Sequence, residues 1–496
     1  MKPKYIASLD QGTTSSRCVI FDASGAVKAK AQYDFPQIYP QPGMVEHDPA
    51  VLISSLLKAA KRALASAGLT YENIDSVGIT NQRETVVVWN KRTGIPVTNA
   101  IVWQDRRTAE LCKQMKSDGL APFIYEKTGL VPDPYFSAAK IKWVLDNVPG
   151  ARAAAENGEL LCGTADCWLI WNLTGGKAFA TDYTNASRTM LFNIHTFKWD
   201  DDLLKLFGIP RRMLPSVHLS SHPYGLFDKK FFGGSMKIAG VAGDQQAALF
   251  GHLCTEGGSV KNTYGTGCFM LMHTGGKAAE SQAGLLTTIA AGYDKKENYA
   301  LEGSVFMAGA AVQWLRDELG VVKTAAESET SAKKVPDTNG VYVVPAFTGL
   351  GAPYWDPDAR GTVTGLTRGA NKYHLTRACL EAIAYQSDDV LRAMERDAGK
   401  TITELAVDGG ASANNFLMQF QADISNAKII RPKVLETTAL GAAYLAGLCT
   451  GYFKSIGEIK NSAFEATEFT PSMQEDERQK KLDGWAKAVL KTRGFQ

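Results

Sequence analysis

The stretch Tyr5–Asp22 reads YIASLDQGTTSSRCVIFD. An apolar run from Tyr5 to Leu9 stops at Asp10. Gly12 and four successive hydroxyl residues, Thr13 to Ser16, follow, and Cys18 to Phe21 return as a second apolar run. Two β-rich runs joined by a small-residue turn predict a hairpin. Gly12 lets the backbone come close to a ligand, and Thr13, Thr14 and Ser15 offer N–H and O–H donors to phosphate oxygens. Asp10, at the strand end, suits a hydrated Mg²⁺ or an ordered water, because hard cations prefer oxygen ligands. The turn is not a Walker loop, since GxxxxGK[ST] is not matched here. An ordinary Thr/Ser-rich hairpin with no ligand is the plain alternative.

Working outward, 496 residues exceed what one core holds, so two or three domains are expected. With 45% hydrophobic and 21% charged residues the composition is that of a globular protein. A net charge of +3 without a long basic run argues against nucleic acid or a membrane surface as partner. No apolar run reaches membrane-spanning length, and Met1-Lys2-Pro3 leads straight into a strand with no signal pattern. The eight cysteines form no CxxC pair and the seven histidines no ligand spacing, so reduced thiols in a cytoplasmic setting are expected rather than zinc or disulfides.

Asp48-Pro49 opens a helical pattern over Ala50–Ala67 that stops at Gly68. A strand over Ile74–Thr80 ends in Asn81-Gln82-Arg83-Glu84, with a further strand over Thr85–Trp89 and a third apolar run, Ala100–Trp103. Arg83 and Glu84, side by side between strands, read either as a solvated loop or as a cation and an anion reaching together for hydroxyl groups. Helices are expected over Arg106–Ser117 and Phe136–Asn147, whereas Tyr183–Phe192 resists assignment. Ile238–Ala242 runs into GDQQAALFG, in which Asp244 reads as a helix cap or as a carboxylate held for proton transfer. In the second half VKNTYGTGC (Val260–Cys268) is another Gly/Thr turn after a short strand, helices are expected over Ala308–Leu319 and Leu375–Asp397, and Thr403–Val407 ends in Asp408-Gly409-Gly410 before a helix. The strand–Asp–Gly logic of the opening hairpin recurs at Asp408, which predicts two halves built on one plan around a cleft, in α/β layers. The charged tail from Glu465 is expected to pack on the surface as helix.

LDQGTTSSR, GITNQRET, VAGDQQAALFG, NTYGTGCFML and VDGGASANNFLMQFQADI, in that order, together resemble the FGGY family of carbohydrate kinases, from the first strand to about Gly451. The family's two signatures are also approached by Tyr135–Asn147 and by Gly361–Glu381, the latter with Cys379 where a small aliphatic or hydroxyl residue is usual. The resemblance implies an α/β fold of two ribonuclease-H-like (actin-like ATPase) domains flanking a central cleft. Residues 1–252 would hold the polyol and phosphate site and residues 253–496 the nucleotide site. It implies a transferase that phosphorylates glycerol to sn-glycerol 3-phosphate with ATP and Mg²⁺, as a dimer or tetramer. By match, Asp244 would be the general base. Arg83, Glu84, Trp103, Tyr135, Gln245 and Phe269 would surround the polyol. Thr13, Thr14, Ser15, Arg17 and Thr266 would handle the phosphates, Gly309, Gln313, Gly410 and Asn414 the nucleoside, and Asp10 the metal. Thr263, Arg188 and the lone histidines are given plain readings as loop, surface or core support.

A related kinase for another small polyol or ketose is the nearest competitor, and an ATP-gated binding or filament protein on the same fold is the competitor from another class. Asp244 separates the last from the first two, because a protein with no acceptor needs no base. Some family members bind fructose 1,6-bisphosphate at a glycine–arginine loop. The matching segment here, Phe232-Gly233-Gly234-Ser235-Met236-Lys237, has Met236 where the arginine falls.

Overall fold

The computed structural model describes residues 4–356, 358–461 and 465–493. Tyr5–Gln11 and Ser15–Phe21 form the expected hairpin, with Asp10 opposite Arg17. Their apolar runs are nearly continuous because both faces are covered. Leu9, Cys18 and Ile20 pack with Leu56, Ala59 and Ala63 of the helix Pro49–Ser66. Ile6, Val19 and Phe21 pack with Ala439, Leu440 and Ala443 of the helix Thr437–Thr450. The hairpin is the middle of a six-stranded sheet. Val27–Asp34 extends it on one side; on the other, Ile74–Asn81 and Lys237–Gly243 run parallel, with Ser221–Leu226 antiparallel at the edge.

A seven-stranded sheet in the second half repeats this plan. Val260–Tyr264 and Cys268–Gly275 form the hairpin and Tyr299–Val305 adds to it. Glu404–Asp408 and Lys428–Pro432 then run parallel beside Val260–Tyr264. The counterpart of the opening hairpin is therefore Val260–Gly275, and Glu404–Asp408 corresponds to Ile74–Asn81. Asp408 does not correspond to Asp10, contrary to what the sequence pattern predicts; it ends a parallel strand beside the second hairpin. An Asp-Gly turn marks a strand end facing a cleft, and that local pattern does not say which strand it ends.

The halves are joined by exchanged helices. Asp244–Gly251 follows the last parallel strand of the first sheet but packs Leu249 against Leu271 and Ala300 of the second. Thr437–Thr450 follows the last parallel strand of the second sheet and lies on the first. Where the two helices meet, a Cβ on Gly441 would stand 1.8 Å from the Ala247 carbonyl oxygen and one on Gly251 2.0 Å from that of Thr437. Only glycine permits that contact.

Local departures have local causes. The expected helix from Arg106 starts at Ala109, because the Asp105 carboxylate accepts from the Val45 and Arg107 amides and holds the preceding residues in a turn. In Tyr183–Phe192, Asp182 caps a short helix, Tyr183–Ala186, and the chain then turns at Met190 with φ +59°. The tail is more than surface cover. Ala466–Phe469 pairs with Lys428–Pro432. Within the helix Glu475–Arg493 Trp485 is buried, stacks on Tyr385 at 5.2 Å and donates to Asp389 at 2.8 Å. All eight cysteines are free. Cys379 is buried beside Ala311 and Leu315, so its substitution concerns packing. Among the described residues no helix is long and apolar enough to cross a membrane.

Candidate active site

The register places the key segments side by side. Gln11 is opposite Asn81 and Asn81 is opposite Gly243, so Gly12–Thr14, Arg83–Glu84 and Asp244 all leave the same edge of the sheet. This is the carboxyl edge of its parallel strands, the usual ligand side.

Arg83 and Glu84 are both buried, which removes the solvated-loop reading. Arg83 forms a bidentate pair with Glu302 (Nη1–Oε2 2.5 Å, Nη2–Oε1 3.0 Å), donates to Gln246 at 3.1 Å, and turns its Nε toward Asp244 Oδ1 at 3.3 Å. Glu84 has φ +61° and accepts from Arg188 Nε at 2.7 Å, while Arg188 Nη2 reaches Glu302 Oε1 at 2.9 Å. Arg188 also lies over the Tyr135 and Phe136 rings, 5.7 and 5.2 Å from their centroids. Burial works against ionisation of Glu302, yet Arg188 and Arg83 hold it at about 2. Two arginines and two carboxylates thus form one buried lattice, with Asp244 at its open side.

Asp244 begins its helix without capping it. Its Oδ1 accepts from the Gln245 amide at 2.8 Å and faces Arg83, which leaves Oδ2 for a ligand. The side chain is 33% exposed. Burial raises its pKa, opposed by Arg83 and Lys261. The turn itself is held from below, since Gly243 N–H donates to Thr184 Oγ1 at 2.8 Å and that hydroxyl donates to Asp182. Trp103 and Tyr135 meet edge to face at 5.6 Å, and Trp103 Nε1 donates to Thr13 Oγ1 at 2.9 Å. The expected polyol wall and phosphate turn are therefore hydrogen-bonded to each other. Gln245 accepts from Lys261 at 2.6 Å, and the Phe269 carbonyl accepts from the same lysine at 3.2 Å.

On the phosphate side, Gly12 N–H closes the turn on the Ser15 carbonyl at 2.9 Å, and Thr14 is exposed. Arg17 is drawn to Asp10 (3.8 Å) and to Glu436 (2.6 Å) at the start of the exchanged helix. Burial pushes Asp10 up to about 6, with Arg17 opposing and Asp244 and Glu436 adding. Thr266 lies in the equivalent turn of the second hairpin, where its carbonyl accepts from Ala308 and Ala310 at the start of the helix Gly309–Asp317. A Cβ at Gly309 would stand 2.6 Å from the Gly265 carbonyl oxygen. Gln313 and Gly410 are exposed, and Asn414 caps the helix Asn415–Ser425 through a bond to Leu417 N–H at 3.0 Å. The first-half polyol and phosphate candidates meet at one sheet edge; Thr266, Phe269 and the nucleoside candidates lie on the second half, Phe269 tied to Gln245 through Lys261.

Four site residues escaped the sequence reading: Arg188, Glu302, Lys261 and Glu436. Arg188, read as loop, surface or core support, sits in the turn after Tyr183–Ala186 and is buried in the pocket lattice. Single charges in the apolar segments YALEGSV and VKNTY were the available signal, since lysine and glutamate are rarely buried unless paired.

Two family models match the chain: the N-terminal domain of the FGGY family of carbohydrate kinases over residues 5–251, and its C-terminal domain over residues 260–449. The chain belongs to the FGGY family of carbohydrate kinases. Among the relatives of this FGGY kinase, a glycerol kinase of Lachnoclostridium phytofermentans is 60% identical over 98% of this chain and 97% of its own. One of Clostridium botulinum is 59% identical over 99% of both. The structure of Plasmodium falciparum glycerol kinase with ADP superposes with TM-score 0.93 at 36% identity, covering 99% of this chain and 98% of that one. A xylulose kinase from Lactobacillus acidophilus superposes at 0.90 with 24% identity over 99% of each chain, a likeness of fold.

Proposed function

We propose that this FGGY kinase transfers the γ-phosphoryl group of ATP to a terminal hydroxyl of glycerol. The carrying observation is the free Oδ2 of Asp244 beside the buried Arg83–Glu84 pair, with Trp103 and Tyr135 narrowing the pocket. Relatives named glycerol kinase at 59–60% identity support the same acceptor. Arg83 and Glu84 offer a donor and an acceptor to adjacent hydroxyls, and Asp244 takes the proton as the alcohol oxygen attacks phosphorus in line. Phosphoryl transfer asks for positioning and charge neutralisation rather than covalent chemistry. The amides and hydroxyls of Thr13, Thr14 and Ser15, with Arg17 and Thr266, carry phosphate charge. Gly309, Gln313, Gly410 and Asn414 cradle the nucleoside.

Asp10 fits a Mg²⁺ that keeps most of its waters, being a single carboxylate at a hydroxyl-rich turn. Among the described residues no group of three or more His, Cys, Asp or Glu gathers for a fully protein-bound metal. When bound, the ion would offset phosphate charge. The domain division at residues 252/253, the cytoplasmic setting and a homo-oligomeric state complete the proposal.

A substrate panel tests it: kcat/KM for glycerol should exceed that for dihydroxyacetone, erythritol and xylulose, and preference for a ketose would reject the assignment. Within the pocket, Glu84→Ala leaves Arg188 Nε and Arg83 short of an acceptor. A buried unpaired polar group costs ~1–3 kcal/mol, more when charged. The expected result is a fall in kcat/KM for glycerol of about tenfold or more, with ATP affinity by calorimetry nearly unchanged. Equal losses in both would show a folding defect instead.

Fructose 1,6-bisphosphate is expected to inhibit weakly or not at all. Met236 is buried among Phe227 and Ile238, and a thioether has no donor for phosphate. Lys237 is exposed but is a point charge without the arginine fork. Loss of a charge-assisted bond of ~1.5–3 kcal/mol weakens the effector about tenfold or more. Strong inhibition below millimolar effector would show that Lys237 or another loop binds it.

A further inference from the structure

Lys261 lies on Val260–Tyr264 of the second half, fully buried, and has no part in the reaction as described. Its ammonium makes three hydrogen bonds: to Gln245 Oε1 at 2.6 Å, Thr263 Oγ1 at 2.9 Å and the Phe269 carbonyl at 3.2 Å. An ammonium donates and never accepts. The Gln245 atom that meets it must therefore be the amide oxygen, and the NH₂ is turned away. Gln245 is half-buried beside Asp244, and among the described residues its Nε2 donates to no protein atom.

We infer that Lys261 is a positioning residue for the acceptor site: from the second half it fixes the Gln245 amide so that its NH₂ is presented as a donor to the polyol. This rests on the acceptor reading above. It explains how the hydroxyl is oriented at the base. Gln245 Nε2 donates to the alcohol oxygen, so the alcohol proton is left to point at Asp244, the acceptor next to it. A carbonyl oxygen presented there instead would compete with Asp244 for that proton.

The charged groups facing Lys261 are Asp408, Asp244, Arg83 and Glu302. Burial pushes its pKa down to about 8, with the acids pulling up and Arg83 pulling down. It is an ammonium at neutral pH; above about 8 the neutral amine keeps N–H donors, and the clamp loses the charge that strengthens it.

The experiment compares the wild-type full chain with Lys261→Met, following KM and kcat for glycerol from neutral to alkaline pH, with ATP affinity and thermal melting alongside. At neutral pH the variant should raise KM for glycerol about tenfold or more, with kcat changed far less and ATP affinity unchanged. Wild-type KM should rise as pH passes through the lysine's titration, and the variant should lack that rise. In a Gln245→Ala background, Lys261→Met should add almost nothing to KM, since the amide it orients is gone. An unchanged KM in the single variant, a full additive effect in the double variant, or an alkaline rise that persists in Lys261→Met would each overturn the inference. If Lys261→Met does not fold, a crystal structure of the wild type with glycerol decides the matter: the Gln245 amide is expected within hydrogen-bond distance of a glycerol oxygen with its Oε1 on Lys261, and an amide turned away from glycerol would overturn the inference. Failure of glycerol to stimulate ADP release in the wild type would instead reject the acceptor reading, and the same comparison is then read with the panel polyol of highest kcat/KM.

Discussion

Asp244→Asn should lower kcat by about 10²–10⁴-fold, the usual contribution of a positioned base, a barrier increase of roughly 3–5 kcal/mol. Glycerol KM should change little, because Arg83, Glu84 and the aromatic walls remain. Asn keeps an acceptor oxygen for the Gln245 amide, so the helix start is preserved while the basic lone pair is lost. The pH dependence follows from the same carboxylate. A base works ionised, so the wild-type rate should fall as pH drops through the Asp244 pKa. Burial raises that pKa above the ordinary aspartate value, so the acid limb should lie above it too. The Asn variant should lack the limb. Near-normal kcat in the variant, measured by coupled ADP release, would remove Asp244 from its role.

The second large effect is on stability. Glu302 is the shared acceptor for Arg83 and Arg188, contributed by the second half to two arginines of the first. Removing one partner of a buried ion pair costs about 3–5 kcal/mol, because the remaining charge stays buried and uncompensated. Glu302→Ala takes the shared acceptor from two buried cations, Arg188 keeping Glu84 and Arg83 keeping Asp244, so a loss within that range is expected, read as a drop in the denaturation midpoint. Arg188→Met removes one cation and leaves Arg83 on Glu302, so it should cost less. A loss below about 1 kcal/mol for Glu302→Ala would mean the arginines find other acceptors and the lattice does not join the halves.

Much of this was legible from residue order alone. The hairpin at Tyr5–Asp22 shows in its apolar runs and glycine turn, and Asp244 shows at a strand-to-helix junction, where a cap and a proton acceptor read alike until the structure leaves its Oδ2 unused. Arg83 and Glu84 gain their meaning from burial, which adjacency in the chain does not reveal. The lattice is hidden because Arg188 lies 104 positions from Glu84 and Glu302 lies 219 from Arg83, and Glu302 alone is one charge in an apolar run. The exchange of helices was equally hidden. The residues of Thr437–Thr450 read as a buried helix, but nothing local says which sheet they cover. Asp408 was misplaced for the same reason: a turn pattern records a strand end, not its position in the sheet.

Both halves build the proposed polyol site, with Asp244 at the reacting hydroxyl. A crystal structure with glycerol and ADP tests it most directly. Glycerol is expected between Arg83, Glu84 and Gln245, with one terminal hydroxyl oxygen at ~2.6–3.2 Å from Asp244 Oδ2. Glycerol bound away from Asp244, or with both terminal hydroxyls turned from its carboxylate, would contradict it.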